Sequence, residues 1–289
     1  MVAAADAACP AAKGKDYTGQ DLSDKNFSAF APGSLVGANF SKAILKGANF
    51  ANLDLSGANF QGAILGSSAK GNDTDFTNAT LKNTCFIKAS GMGGADFTYA
   101  NIDCADFSHT LLSPAQFGPM PNIAHNPTCR TKFIGSLIDV HAISLDHWGY
   151  VDFTNTNFQG LSRSTFSLAG KDISGAMLGG IDFSNIDMTG ANLTKVDFSH
   201  AILTHAKLTS ATLNGAKLIL AHAPYVQLDC AQFYGGPGQA NTCGNAAAGA
   251  CKIKPPTSSA PTAHADLTQA NLQTASMRNT ILDSAILTG

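Results

Sequence analysis

The chain has 289 residues, a formal net charge of −2, 44% hydrophobic residues and only 13% charged residues. Its hydrophobic share excludes an intrinsically disordered chain, and its sequence holds no apolar run as long as a membrane-spanning helix. With 18 Lys and Arg against 20 Asp and Glu, it has neither the basic stripe of a direct nucleic-acid binder nor the acidic excess of a strong DNA mimic. The 28 Gly and single Trp favour a thin core.

The N-terminal segment, residues 1–15, is rich in Ala and precedes the first regular pattern. It is too short and too weakly apolar for an intact signal peptide, but it resembles the start of a mature exported chain. Seven cysteines also favour an oxidising compartment. We therefore expect an exported protein, periplasmic or secreted, with a cytoplasmic location as the alternative. We expect residues 1–15 to cap the structure that follows.

From Leu35 to Leu65, a large apolar residue recurs at every fifth position. A small residue lies two positions before most of them, often with Asn or Asp between, as in Ala48-Asn49-Phe50. A period of five fits neither an α-helix nor a flat strand, so the backbone must turn a corner every five residues. The large and small residues then point inward. Four such sides close a coil of twenty residues, and coils stack at the strand spacing of about 4.8 Å.

A second run of this pattern extends from Phe133 to Phe233 without a change of frame. Strict register would bury Arg163 in this run, where an unpaired charge would be very costly. We therefore expect the segment around Arg163 to bulge, with Phe166 taking the inward place. The frame resumes at Leu267.

These repeats resemble the A(D/N)LxX consensus of the pentapeptide-repeat family. The resemblance covers residues 16–235 and 265–289. It implies an all-β fold, a right-handed quadrilateral β-helix with loop insertions. Coils of twenty residues would place Asp187 beside Lys207 and Asp197 beside Lys217, as exposed pairs that each contribute about 0.2–1 kcal/mol.

Breaks in the pattern divide the chain, since Pro and Gly mark excursions from a coil. Small bulges are expected at 31–33, 66–73 and 91–94. The predicted segments are an N-terminal segment at 1–15, a β-helix lobe at 16–117, a connecting insertion at 118–130, a second lobe at 131–235, a loop insertion at 236–264 and a C-terminal coil at 265–289. Because repeats run to Gly289, the C-terminal coil is either a homodimer surface or the cut edge of a longer chain.

The cysteines lack the C-x-x-C spacing of a metal site. Cys230, Cys243 and Cys251 lie around the last insertion, so we expect a disulfide between Cys243 and Cys251, or between Cys230 and one of them. Cys85 and Cys104 fall within repeats, where we expect them to serve as small apolar filler.

No catalytic or metal-binding constellation stands out among the other residues. His200 and His205 fall at neighbouring corners that face different directions, whereas a zinc site needs three or four converging ligands. The sequence contains no G-x-S-x-G and no H-E-x-x-H motif, which would mark a hydrolase nucleophile or a zinc protease. We therefore predict no catalytic, cofactor-binding or metal-binding residues and no cofactor.

Three functions remain open at this point. The first is a non-enzymatic structural or interaction protein, a rigid β-helical rod that binds a macromolecular partner, expected to be a protein and not a nucleic acid. The second follows from the family resemblance, which includes strongly acidic, dimeric DNA mimics that bind bacterial topoisomerase (gyrase). The third is an enzyme with a site under the 118–130 or 235–264 insertion, with candidate groups His125, Cys129, His222 and His264.

Overall fold

The computed structural model describes residues 9, 11–66, 73–112, 129–139, 151–159, 166–231, 233, 267–273 and 275. Most of the pairing in this part of the chain consists of isolated parallel β-bridges. Two short strands, β1 (Leu137–Asp139) and β2 (Asn157–Gln159), also pair in parallel. Across the described ranges, no helix has the length and hydropathy of a membrane span.

The chain divides into two compact units. Unit 1 comprises Met1–Ser144 and Asn157–Gln159, and unit 2 comprises Leu145–Thr156 and Gly160–Gly289. Of the predicted connecting insertion at 118–130, only residues 129 and 130 are described. The segment boundaries drawn from the sequence therefore stay predictions.

Parallel bridges in unit 2 join residues twenty positions apart on four successive sides. The pairs are Asp182 with Ile202, Asp187 with Lys207, Asn192 with Thr212 and Asp197 with Lys217. Four sides of five residues therefore close each coil, and the predicted coil length is confirmed. The predicted neighbours Asp187 and Lys207, and Asp197 and Lys217, are among these pairs. The right-handed sense of the coil stays a prediction.

Most corners of the described coils are tight turns whose third residue has positive φ, as in a type II turn. At one corner the Ala201 N–H donates to the Phe198 carbonyl over 2.9 Å, and His200 between them has a φ of 61°. Thirteen successive corners of unit 2 share this backbone: Gly170, Gly175, Gly180, Asn185, Gly190, Lys195, His200, His205, Ser210, Gly215, Leu220, Tyr225 and Cys230. The period of five is thus the distance between two turns.

The Asn or Asp of each repeat caps the turn that follows it. The Asp54 Oδ1 atom accepts hydrogen bonds from the Ser56 backbone N–H at 2.9 Å and from its hydroxyl at 2.6 Å. The same contact joins Asn39 to the Ser41 N–H and Asp172 to the Ser174 N–H. Asn and Asp suit this position because their side chains reach the backbone two residues on.

The core of unit 1 is a column of buried aromatic rings. Its members are Phe27, Phe40, Phe50, Phe60, Phe76, Phe86, Phe97, Phe107 and Phe133. Phe60 stacks on Phe40 and on Phe86, each with 4.9 Å between ring centroids. It also meets Phe50 edge-on at 5.8 Å. Alternating stacked and edge-on contacts fill the space inside the coils with rings from two of the four sides, and aliphatic residues such as Leu45 and Leu55 fill the other two.

Insertions lengthen the spacing between bridge partners. Asn49 pairs with Asp75, twenty-six positions later, so the chain takes six residues more than one coil here; most of the bulge predicted at 66–73 lies outside the described residues. At the other end of the chain, His222 pairs with Asn271. The chain therefore returns to the coil at 267–273, and Leu267 is buried.

One insertion in unit 2 keeps the five-residue frame of the sequence. Asp152 pairs with Met177, twenty-five positions later, so the chain takes five residues more than one coil here, in agreement with the bulge predicted around Arg163. Because five residues are one full repeat, the large apolar residues stay at every fifth position. The bridge partners, however, are twenty-five positions apart here and not twenty. Phe166 is buried after this excursion, as predicted, whereas Arg163 lies outside the described residues.

Candidate interaction surface

The predicted site residues are not brought together in the described part of the chain. Four of them lie outside it: His125, Cys243, Cys251 and His264. Cys129 is bonded to Cys104, with their Cα atoms 5.3 Å apart, so it has no free thiol to act as a nucleophile. Cys230 is also disulfide-bonded, and the choice of Cys243 or Cys251 as its partner stays a prediction.

Two cysteines that the repeats appeared to bury point outward instead. Cys85 is bonded to Cys9, with their Cα atoms 5.8 Å apart, and Cys104 is bonded to Cys129. The expectation that Cys85 and Cys104 act as apolar filler is therefore wrong. Cys85 occupies the outward capping position before Phe86, and Cys104 is a corner residue with a φ of 61°. The five-residue frame already placed both positions on the outside, which was the signal that sequence reasoning missed.

Histidine ligands for a metal ion do not converge in the described residues, where no group of three His, Cys, Asp or Glu is placed to hold one. His200 and His205 lie at successive corners. His222 lies on the outward column between Ile202 and Asn271.

One side of unit 2 nevertheless concentrates exposed histidine and apolar side chains. It consists of residues 199–205 in one coil and 219–225 in the next, which the bridge between Ile202 and His222 aligns. Three of the six exposed large hydrophobic residues in the described chain lie here, with 38%, 45% and 53% exposure for Ile202, Leu220 and Tyr225. We call this surface the His–Tyr face: His200, Ile202, His205, Leu220, His222 and Tyr225, all of which are exposed.

The backbone fixes the side chains of the His–Tyr face at the spacing of the coils. The His200 N–H donates to the Ile219 carbonyl over 2.9 Å, and the His205 N–H donates to the Pro224 carbonyl over 3.1 Å. The imidazole of His205 consequently stacks on the Tyr225 ring, with 4.7 Å between the centroids.

Charge is absent from the centre of the face and present at its edges. Residues 198–206 and 218–226 contain no Asp, Glu, Lys or Arg. On one neighbouring side Asp197 and Lys217 form an ion pair of 3.7 Å, and on the other Asp187 pairs with Lys207. Burial raises the pKa of Asp187, but the hydrogen bonds from Thr189 and the Lys207 charge outweigh it and hold that pKa below its usual value. An uncharged centre within a charged rim is the common anatomy of a protein interface.

Some residues of the face depart from the Gly, Asn and Asp preferences of the repeat, as Lys195 and Tyr99 do at other corners. Leu220 and Tyr225 have φ values of 56° and 59°, a conformation that costs a side chain of this size about 1–2 kcal/mol. Ile202 offers no oxygen to cap its turn, whereas Asp182, its bridge partner in the preceding coil, caps Ser184 over 2.9 Å.

The comparisons with known proteins concern the repeat. A family model for pentapeptide repeats matches eight copies in residues 34–68, 172–204 and 263–289. Among curated proteins, none matches this chain.

Solved structures similar to the chain include other pentapeptide repeat proteins. One is HetL, a pentapeptide repeat protein involved in heterocyst differentiation regulation from the cyanobacterium Nostoc sp. strain PCC 7120. It is 18% identical, with 94% of this chain and 89% of that chain covered and a TM-score of 0.29. Another is trypsin-treated QnrB1, a plasmid-mediated fluoroquinolone resistance protein, at 14% identity, 91% and 89% coverage and a TM-score of 0.32. A pentapeptide repeat protein from the Arabidopsis thaliana thylakoid lumen shares 22% identity over 53% of this chain and 74% of that chain, with a TM-score of 0.15.

The second matched stretch, 172–204, lies within the coils of unit 2 in which every corner is turned and paired as described above. Sequence comparison and backbone geometry therefore agree that the chain contains pentapeptide repeats.

Proposed function

We propose that this protein is not an enzyme and acts by binding a protein partner through the His–Tyr face. One observation carries the proposal. Two adjacent coils expose a cluster of apolar and imidazole side chains without any formal charge, and they hold Leu220 and Tyr225 in a backbone conformation that opposes folding.

The rigidity of the coil supports binding by this face. Parallel bridges and corner turns position its six side chains before a partner arrives, so little conformational freedom remains to be lost on association. Tyr is enriched at protein interfaces, and an apolar centre favours a partner whose matching surface is also uncharged. Burying an unpaired charge against Ile202 would be costly.

The alternative function is DNA mimicry with binding to gyrase. The shortage of carboxylates on the outside of the coils disfavours this function. A DNA mimic needs rows of outward carboxylates. In unit 1 one outward column reads Asn26, Asn49, Asp75 and Asp96, with amides in half of its places, and the net charge of the chain is only −2. A gyrase supercoiling assay with and without a quinolone separates the two functions, and we expect no effect.

We also propose that the protein is exported. The disulfides of Cys85 and Cys104 support this location, because such bonds persist in oxidising compartments. A homodimer through the C-terminal coil at 265–289 stays a prediction, since only 267–273 and 275 of that coil are described.

The test of the proposed function is a matched pair of charge substitutions. Ile202→Asp puts a carboxylate at the centre of the His–Tyr face, at a capping position where the column already has Asp182. Thr212→Asp makes the same change on the opposite side of the same coil, in the column that contains Asn192. Both variants are expected to fold, because Asp at this position caps its turn in the described coils, as Asp54 and Asp182 do.

The readout is the set of proteins that each variant captures by cross-linking in an extract of the source cells. We expect wild type and Thr212→Asp to capture the same partner and Ile202→Asp to lose it. Capture of the same set by all three proteins would overturn the proposal. So would equal loss by both variants.

A further inference from the structure

A short segment near the N-terminus runs along one side of unit 1. Asp16 begins an outward column that continues through Asn39 and Asn59 to Cys85, with one bridge between each pair. Cys9 precedes Asp16 by only seven residues, yet it is bonded to Cys85, which lies three coils away from Asp16. Three coil steps are about 14 Å, a distance that seven extended residues readily span. We call Cys9 and residues 11–16 the strap.

The two ends of the strap are held in different ways. Near Asp16 the backbone holds it, because the Lys13 and Gly14 N–H groups donate to the Gly37 carbonyl over 3.1 Å and 2.8 Å. Gly14 lies so close to the coil that an added Cβ would sit 2.5 Å from the Val36 carbonyl oxygen. At the other end, the disulfide between Cys9 and Cys85 attaches the strap to the coil.

The side of the coil is covered where Cys9 is attached. Cys85 and Ile87 flank the inward Phe86 and point outward, yet they are only 2% and 3% exposed. The equivalent residues one coil earlier, Asn59 and Gln61, are partly exposed. An apolar side chain on the outside of the coil is therefore hidden in the disulfide-bonded state.

We infer that the strap is a redox latch that covers the Ile87 surface while the disulfide between Cys9 and Cys85 is closed. A dithiol, either a small molecule or a dithiol protein, opens the latch by thiol–disulfide exchange. Two electrons and two protons pass to the protein, which yields the Cys9 and Cys85 thiols, and the dithiol becomes a disulfide. The Cys9 end of the strap then leaves the coil and Ile87 is exposed.

The second disulfide offers a matched control on the same side of unit 1. Cys104 lies two residues before Asp106, the bridge partner of Cys85 in the next coil. Its bond to Cys129 does not involve the strap. Removal of that bond should leave the latch closed.

The experiment is hydroxyl-radical footprinting of Ile87 in the full chain, with and without dithiothreitol. Alkylation and mass spectrometry verify whether Cys9 and Cys85 are reduced. We expect labelling of Ile87 to rise several-fold on reduction, and we expect Cys9→Ser to show the high level without reductant. The Cys104→Ser/Cys129→Ser variant should show low labelling before reduction and high labelling after it.

Three results would overturn the latch. One is unchanged labelling of Ile87 in wild-type protein whose Cys9 and Cys85 have been alkylated after reduction. The second is a bond that dithiothreitol does not reduce in the folded protein. The third is a folded Cys9→Ser variant whose Ile87 is labelled no more than in oxidised wild type. If Cys9→Ser does not fold, the wild-type measurement alone decides.

Discussion

His205 and Tyr225 stack with their ring planes 10° apart and their centroids separated by 4.7 Å. The two residues are one coil apart and occupy the same corner, where each has positive φ. Both are exposed, so the pair is positioned by the backbone of the coil and not by burial in a core. The stack gives the His–Tyr face a preformed aromatic edge.

A double-mutant cycle measures the energy of this stack. His205→Ala, Tyr225→Ala and the double variant should give a coupling of about 0.5–1 kcal/mol in the free energy of unfolding. The low end of the range for aromatic pairs is expected because both rings are in contact with water. Urea unfolding of the four proteins provides the measurement, and strictly additive effects would show that the rings do not interact.

The capping role of Asp54 predicts a difference between two substitutions. Asp54→Ala leaves the Ser56 N–H without its side-chain acceptor and should cost about 1 kcal/mol. Asp54→Asn keeps an acceptor oxygen, as Asn39 and Asn49 do in their own repeats, and should cost only a few tenths. Equal losses in the two variants, measured by chemical denaturation, would contradict the cap as the reason for Asn and Asp in the repeat.

Acid should weaken the first coil of unit 1. The Thr18 hydroxyl and N–H hold the pKa of the Asp16 carboxyl below its usual value, and those of Ser23 do the same for Asp21. A carboxyl whose pKa is lower in the folded state stabilises the protein above its unfolded pKa. That contribution is lost as the pH falls through the folded pKa, which here means below about pH 4.

The matched variant for this pH dependence is Asp16→Asn with Asp21→Asn. The amides keep the acceptor oxygens but cannot titrate. The free energy of unfolding of the variant should therefore fall less than that of wild type between about pH 5 and pH 3. An identical decrease in both proteins would assign the acid sensitivity to other carboxyls.

The ring column of unit 1 predicts a large loss for Phe60→Ala. Phe60 is fully buried and contacts rings on the coils before and after it, so its removal should cost about 3–5 kcal/mol. Phe60→Leu should cost less, since it keeps most of the volume. The control Val36→Ala, at an exposed position, should change stability by no more than about 0.5 kcal/mol. A small effect of Phe60→Ala would mean that the column is not the core of unit 1.

The regular part of the fold could be predicted from the sequence because its physics is local. Each repeat carries its own inward pair, its own turn and its own cap, so a residue such as Phe60 is placed by its four neighbours in the chain. The length of the coil then follows from closure over four sides. The excursion between Asp152 and Met177 was indicated only by the charge of Arg163, because an insertion one repeat long does not disturb a period of five.

The disulfides and the His–Tyr face depend on relations that the repeat does not encode. The bond between Cys9 and Cys85 depends on the path of the strap, which lies outside the repeat frame. The face depends on residues twenty positions apart, such as His205 and Tyr225. Each is unremarkable in its own repeat, and only stacking of the coils reveals a shared uncharged surface.

Leu220→Asn tests whether the His–Tyr face retains a strained apolar residue for the proposed binding. Asn tolerates positive φ better than Leu, as Asn185 does at another corner of unit 2. We expect the free energy of unfolding of the variant to be unchanged or higher by up to about 1 kcal/mol, and we expect the variant to lose the partner that wild type captures. Lower stability with undiminished capture would contradict both expectations.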